Sequence, residues 1–168
     1  SVPWVAHFPV DGEPPRPNER EIAERASVRV TMCSFGRKMV KKYWNLDSVV
    51  IPHMCKDVFR PMDKSKAKES FGISPDTFVV GYCGSNDYRK QLPVLLQAFK
   101  QAFGERRDIV LLLNTMTTRV SPRSYSTRDL IRALGLKNVL LPFQPELRPP
   151  APEEVAVFYN ALDLHVMA

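Results

Sequence analysis

No apolar run in this chain approaches the roughly 20 residues that a membrane-crossing helix needs. No charged-then-apolar stretch with a small-residue cleavage site opens it either. Cysteine is scarce: Cys33, Cys55 and Cys83 are odd in number, far apart and never spaced C-x-x-C. That excludes a disulfide framework and offers no zinc pattern, so a reducing cytoplasm is expected. His53 and Cys55 form a conceivable metal pair, but no third ligand accompanies them at a suitable spacing, and no metal site is expected. Glycine is scarce too, seven residues against fifteen prolines, a composition of stiff loops. Neither glycine-rich phosphate signature, G-x-G-x-x-G or G-x-x-x-x-G-K-[ST], occurs. Basic strands interleaved with aromatics are missing as well, so no nucleic-acid partner is expected.

What remains is ordinary globular material: 168 residues, 44% hydrophobic and 25% charged, with a net charge of +6. That length supports one domain, or one and a piece. The charge suits phosphate-bearing partners or an anionic surface without choosing between them. The chain opens without a methionine and closes on the apolar run Asp163–Ala168. Both features lead us to expect a segment of a longer protein, incomplete at both ends.

Periodicity divides the chain. Residues 1–17 read as extended and proline-studded. Asn18 is placed to cap a short helix to Arg25, and Val28–Met32 alternates like a strand. Ser34 is placed to cap a helix Phe35–Trp44, with Phe35, Met39, Val40, Tyr43 and Trp44 on one half and Arg37, Lys38, Lys41 and Lys42 on the other. That basic helix, 35–44, reads either as a surface helix packed on a sheet or as a peripheral contact with an anionic membrane. An irregular connector follows, then a short charged helix at Asp63–Phe71.

From Thr77 strands and helices alternate: strand to Cys83, helix Leu92–Phe103, strand Ile109–Asn114, helix near Ser126–Leu134, strand Val139–Pro142, helix Glu153–Ala161, strand Leu164–Met167. This alternation predicts βαβ units, a Rossmann-like parallel sheet with flanking helices. Ligands of such sheets bind beyond the carboxyl ends of the strands. The binding edge should therefore carry Gly84–Lys90, Asn114–Thr118 and Phe143–Gln144. His165 falls within the last strand and is expected to be packed.

The stretch Thr77–Lys90 is the most informative. An apolar run stops at Gly84, a short polar loop follows, and Arg89 and Lys90 stand where a helix begins. Free N–H groups and the helix dipole would favour an anion there, and the two cations would add full charges. The bland alternative is an ordinary βα loop with a solvated Arg–Lys pair.

Four segments, in this order, resemble family 4 glycosyltransferases of the GT-B fold. Ile51–Pro61 is similar to that family's interdomain signature, departing from it at Met54 and in the spacing of Asp57 to Phe59. Val80–Lys90 with Leu95-Leu96-Gln-Ala98-Phe99 resembles Gly-x-Asn-x-x-Arg-Lys…Leu-Leu-x-Ala-Phe. Leu134-Gly-Leu-Lys-Asn138-Val139 and Phe158-Tyr-Asn-Ala-Leu-Asp163-Leu resemble the stretches before the donor-base strand and before the acidic motif.

The resemblance implies a retaining, metal-independent sugar transfer from a nucleotide sugar, which serves as substrate, with no cofactor and with the acceptor unidentified. It places the donor phosphates on Gly84, Asn86, Arg89 and Lys90, and the base near Leu141, Pro142, Phe143 and Gln144. It makes residues 1–50 the end of the acceptor-side domain, 51–62 the interdomain connector and 63–168 the first part of the donor domain. His7 and Asp11 compete for the acceptor-side catalytic role, and a loop histidine with a local hydrogen bond is an equal reading of His7. The family's glutamate pair lies beyond Ala168, so this chain alone is expected to be inactive. The alternative is a non-catalytic nucleotide or phosphosugar binding module of the same fold.

Overall fold

The computed structural model describes residues 2–167; Ser1 and Ala168, the outermost residues of the expected segments 1–50 and 63–168, lie outside the described residues. The chain divides into two compact units, Ser1–Cys55 and Lys56–Ala168. The boundary falls inside the stretch 51–62.

The first unit carries three parallel strands in the order β1-β2-β3: β1 (Val5–Phe8), β2 (Val28–Thr31) and β3 (Val49–Val50). Helices α1 (Pro17–Arg25) and α2 (Ser34–Trp44) make the crossovers. Ala6, Phe8, Ala23, Ala26, Val40 and Trp44 form the core. Arg29 braces it from below, donating to the carbonyl oxygens of Ala23, Ala26 and Asp47 at 3.1, 3.0 and 2.8 Å.

Both expected caps are corrected. Pro17 occupies the first helical position of α1, where its missing N–H costs nothing, so Arg16 rather than Asn18 is the cap. Ser34 is already helical, and Cys33 precedes it without a side-chain cap bond. On α2, Met39, Val40 and Trp44 are buried, whereas Phe35 and Tyr43 are about two-fifths exposed.

The second unit has a four-stranded parallel sheet in the order β6-β5-β4-β7, with β4 (Phe78–Cys83), β5 (Ile109–Asn114), β6 (Val139–Leu140) and β7 (Leu164–His165). α3 (Lys64–Glu69) precedes β4, and α4 (Leu92–Phe103), α5 (Thr127–Leu134) and α6 (Pro152–Ala161) connect the strands. Strand alternation sends Val80, Tyr82, Leu111 and Leu113 onto Leu92, Leu95, Leu96 and Phe99 of α4. The opposite face sends Val79 and Leu112 onto Ala67, Phe158, Ala161 and Leu162. Gly81 faces this second cluster, where a Cβ would collide with the Leu162 side chain.

The chain winds from β4 through β5 to β6, then returns to place β7 on the other side of β4. That reversal is the switch point at which open α/β sheets bind ligands.

Two strands are shorter than expected. Pro142 lacks the N–H a ladder needs, and β6 ends at Leu140. β7 pairs with β4 along one side, and His165 is exposed, against the expectation that it is packed; its ring lies 5.5 Å from that of Tyr159.

Candidate functional site

β4 and β5 end level, with Cys83 opposite Asn114. Beyond them Gly84 donates its N–H to the Asn114 carbonyl at 3.0 Å, and Asn114 Nδ2 lies 3.3 Å from Cys83 Sγ. A crevice of about 280 Å³ opens here, lined by Cys83, Gly84, Ser85, Asn114, Thr115, Met116, Pro145 and Pro150. Two larger concavities lie elsewhere, about 520 Å³ along the basic face of α2 and about 480 Å³ around Phe71, Phe143 and Arg148. Size does not select the site; position at the carboxyl ends of the strands does.

Arg89 and Lys90 lie at this same edge, on a 3-10 turn (Tyr88–Lys90) rather than in the first turn of α4. Asp87 caps that turn, its carboxylate accepting from the Arg89 N–H at 2.9 Å. Gln91, at φ 48°, then takes the left-handed conformation that redirects the chain into α4. Among the described residues neither Arg89 nor Lys90 is in an ion pair.

Two sequence expectations for this loop are corrected. The backbone is not a row of free donors: the N–H groups of Gly84, Tyr88, Arg89, Lys90 and Gln91 are bonded to Asn114 O, Arg123 O, the Asp87 carboxylate, Asp87 O and Tyr88 O. The full charges the loop offers an anion are those of the two side chains. Asn86 is not turned outward but is 1% exposed. Its Nδ2 donates to the carbonyl oxygens of Tyr125, Met116 and Thr118 at 2.7, 3.1 and 3.3 Å.

The expected base-side residues part company. Leu141 packs with the α4 face of the sheet, while Phe143 turns to the other face, edge-on to Phe71 at 6.0 Å and 6.2 Å from Phe158. Pro142 and Gln144 are exposed. Pro145 and Pro150, from the same loop, reach the crevice instead.

Glu146 ties this loop to the one after β5, accepting from the Thr117 N–H at 3.2 Å and from the Thr117 hydroxyl. Burial works to raise the Glu146 carboxyl, but the Thr117 bonds and nearby Arg128 outweigh it and hold the group below its ordinary value. Thr117 entered the sequence reading only within the edge span Asn114–Thr118, and Tyr125 and Glu146 escaped it, because polar loop residues carry no periodicity.

In the first unit His7 lies exposed near the end of β1, its ring 5.5 Å from that of His53. His53 Nε2 is 2.8 Å from Met32 Sδ. Asp11 is engaged by Arg16 at 2.7 Å. Among the described residues no group of three or more His, Cys, Asp or Glu side chains could hold a metal ion.

No family model matches the chain. Similar curated proteins are named D-inositol 3-phosphate glycosyltransferase. That of Pseudarthrobacter chlorophenolicus is 25% identical over 165 residues, 93% of this chain and 38% of the relative. That of Thermobispora bispora is 28% identical over 172 residues, 94% of this chain and 39% of the relative. The chain thus spans about two-fifths of the length of the curated relatives it matches. Two solved structures share the fold. A sucrose-phosphate synthase from Thermosynechococcus elongatus has a TM-score of 0.64 and 20% identity, covering 88% of this chain and 36% of its own. A glycosyltransferase from Rickettsia africae has a TM-score of 0.67 and 16% identity, covering 98% and 44%. The resemblance to glycosyltransferases and the Rossmann-like, parallel α/β architecture are borne out.

Proposed function

We propose that this chain carries the phosphate-binding part of a glycosyltransferase that moves a sugar from a nucleotide-activated donor, with retention and without a metal. The observation that carries the reading is the pair Arg89 and Lys90, two cations with no ion-pair partner among the described residues, on the turn that follows the crevice-lining Cys83, Gly84 and Ser85 at the carboxyl end of β4. The relatives' names support the reaction class.

As the bond between the sugar and the diphosphate breaks, charge builds on the leaving oxygen. Arg89 and Lys90 would stabilise that charge, and more strongly in a crevice than in open water. Residues 1–50 then belong to the acceptor-side domain, with His7, flanked by His53, the better placed of the two candidates because Asp11 is held by Arg16. The relatives' names make inositol 3-phosphate the first acceptor to try.

The remaining face is α2. Lys41 and Lys42 are paired with Asp47 and Glu13, which leaves Arg37 and Lys38 to attract an anionic bilayer. At about 1 kcal/mol for each such residue, peripheral contact would be weak. Among the described residues no helix is long and apolar enough to cross a membrane. The three free thiols suit a reducing, cytoplasmic setting.

The test is a thermal-shift panel of UDP, GDP and ADP on the intact protein, followed by turnover of the matching nucleotide sugars with EDTA present. Stabilisation by one diphosphate, with product of unchanged anomeric configuration, is expected. No shift with any of the three would refute the donor site, and shift without turnover on any acceptor would favour the binding-module reading.

A further inference from the structure

We propose that Asn86 is a positioning residue: its carboxamide holds the loop after β5 in the shape that walls the Gly84 crevice, and it does not touch the donor phosphates. The inference rests on the donor-site reading given above.

Asn86 is 1% exposed, and its Nδ2 faces oxygen on every side. Met116 O and Thr118 O, at 3.1 and 3.3 Å, come from the start of the loop 115–126. Tyr125 O at 2.7 Å comes from its end, and Thr127 Oγ1 at 3.5 Å from the first residue of α5. One amide therefore cinches the two ends of an irregular segment. Carbonyl oxygens on all sides fix which end of the carboxamide faces them, because Oδ1 would be repelled there.

Neighbouring residues repeat the latch. Asp87 forms an isolated antiparallel bridge with Ser124, the Tyr88 N–H donates to Arg123 O at 2.9 Å, and the rings of Tyr88 and Tyr125 lie 4.5 Å apart. These contacts come from residues 86–88, directly before Arg89 and Lys90. The loop they hold contributes Thr115 and Met116 to the crevice wall.

Removing the amide leaves carbonyls buried without their donor, which favours an open loop. A donor would then bind only the fraction of molecules with the loop closed, and apparent affinity falls in proportion to that fraction. If about one molecule in ten stays closed, affinity falls about tenfold.

The experiment compares Asn86→Ala, Lys90→Ala and the wild type in the intact protein, with UDP, GDP and ADP as probes. Affinity is measured by calorimetry and loop order by hydrogen exchange. Asn86→Ala should lose amide protection across residues 116–127 in the free protein, keep it in β4 and β5, regain it at saturating nucleotide and bind about tenfold more weakly. Lys90→Ala should weaken binding with protection unchanged. If Asn86→Ala shows the Lys90→Ala pattern, Asn86 is a phosphate ligand and the proposal is wrong. If protection falls but affinity holds, the role is purely structural and the proposal is equally wrong. Should Asn86→Ala fail to fold, Thr127→Val removes the hydroxyl that donates to Met116 O at 2.7 Å from the same cluster and should shift both readouts the same way; no shift in either overturns the proposal. A wild type that binds none of the three probes sinks the donor reading and this one with it. An effect of Lys90→Ala without one of Asn86→Ala sinks this one alone.

Discussion

Lys68 Nζ lies 2.8 Å from Asp163 Oδ2, with side chains only 5% and 17% exposed. Lys68 also donates to Pro75 O and Thr77 O, and the Asp163 carboxylate accepts from the β4 backbone at Val79. The pair thus pins α3, the start of β4 and the residue before β7 to one another. It anchors the amino edge of the sheet whose opposite edge carries the site. Asp163→Ala strands a buried ammonium, which costs about 3 kcal/mol or more. Urea unfolding should show that loss with little change in slope. A loss below ~1 kcal/mol would mean that the pair is dispensable.

Acid should probe the same pair. Burial raises the Asp163 carboxyl, but Lys68, the Val79 N–H and Lys64 outweigh it and hold the group at about 2, against 3.8 ordinarily. A carboxyl lower in the folded state stabilises the fold above its unfolded pKa and ceases to do so as pH falls through the folded one. Its contribution should be complete above about pH 4 and fade toward pH 2. Melting temperatures of wild type and Asp163→Asn should therefore converge over that interval. Parallel curves would assign the acid sensitivity to other groups.

Gly84 does not have a positive φ. Its constraint is a neighbour two residues back: an added Cβ would lie 3.0 Å from Tyr82 Oη and 3.2 Å from Cζ. That hydroxyl donates to Ser85 O at 2.9 Å, so the phenol shapes the loop from beneath. Gly84→Ala should cost about 1–2 kcal/mol by overpacking. Tyr82→Phe in the same chain should recover part of it, with a coupling of at least ~0.5 kcal/mol in a double-mutant cycle. Strict additivity would show that the two do not compete for space.

The helices and strands that periodicity predicts best are those with continuous apolar faces. α4 is found at Leu92–Phe103 and β5 at Ile109–Asn114, as expected. Each buries a full face, so local pattern and tertiary packing agree. The asparagines show where that legibility ends. Asn86, Asn138 and Asn160 all stand in family-like segments, yet sequence cannot say which oxygens an amide will find. Asn138 Nδ2 gathers the carbonyls of Phe103, Arg106 and Ile109, closing the turn between α4 and β5. Asn160 receives the Met62 N–H and donates to Arg60 O, tying the connector to α6. Asn86 is buried, with its amide likewise on the carbonyl oxygens of Met116, Thr118 and Tyr125. The base-side stretch has a similar limit: Leu141 and Phe143, two apart, would share a face in a strand, but β6 ends at Leu140 and the irregular chain beyond it packs them on opposite faces of the sheet.

The location of the site can be tested through Cys83 without reference to turnover. This thiol is half-buried and lines the Gly84 crevice, whereas Cys33 and Cys55 are exposed. With the latter two replaced by serine, a small maleimide should modify a single position among residues 1–168. A nucleoside diphosphate seated against Gly84, with its phosphates on Arg89 and Lys90, would cover that sulfur. At a ligand concentration about ten times Kd, modification should slow about tenfold, because only the free fraction reacts. Lys90→Ala should cut the slowing to about twofold or less at the same concentration by weakening binding roughly 10–100-fold, the value of one charge-assisted contact. Modification that proceeds equally fast with saturating nucleotide would place the ligand elsewhere, with the 480 Å³ concavity beside Phe143 the next to examine.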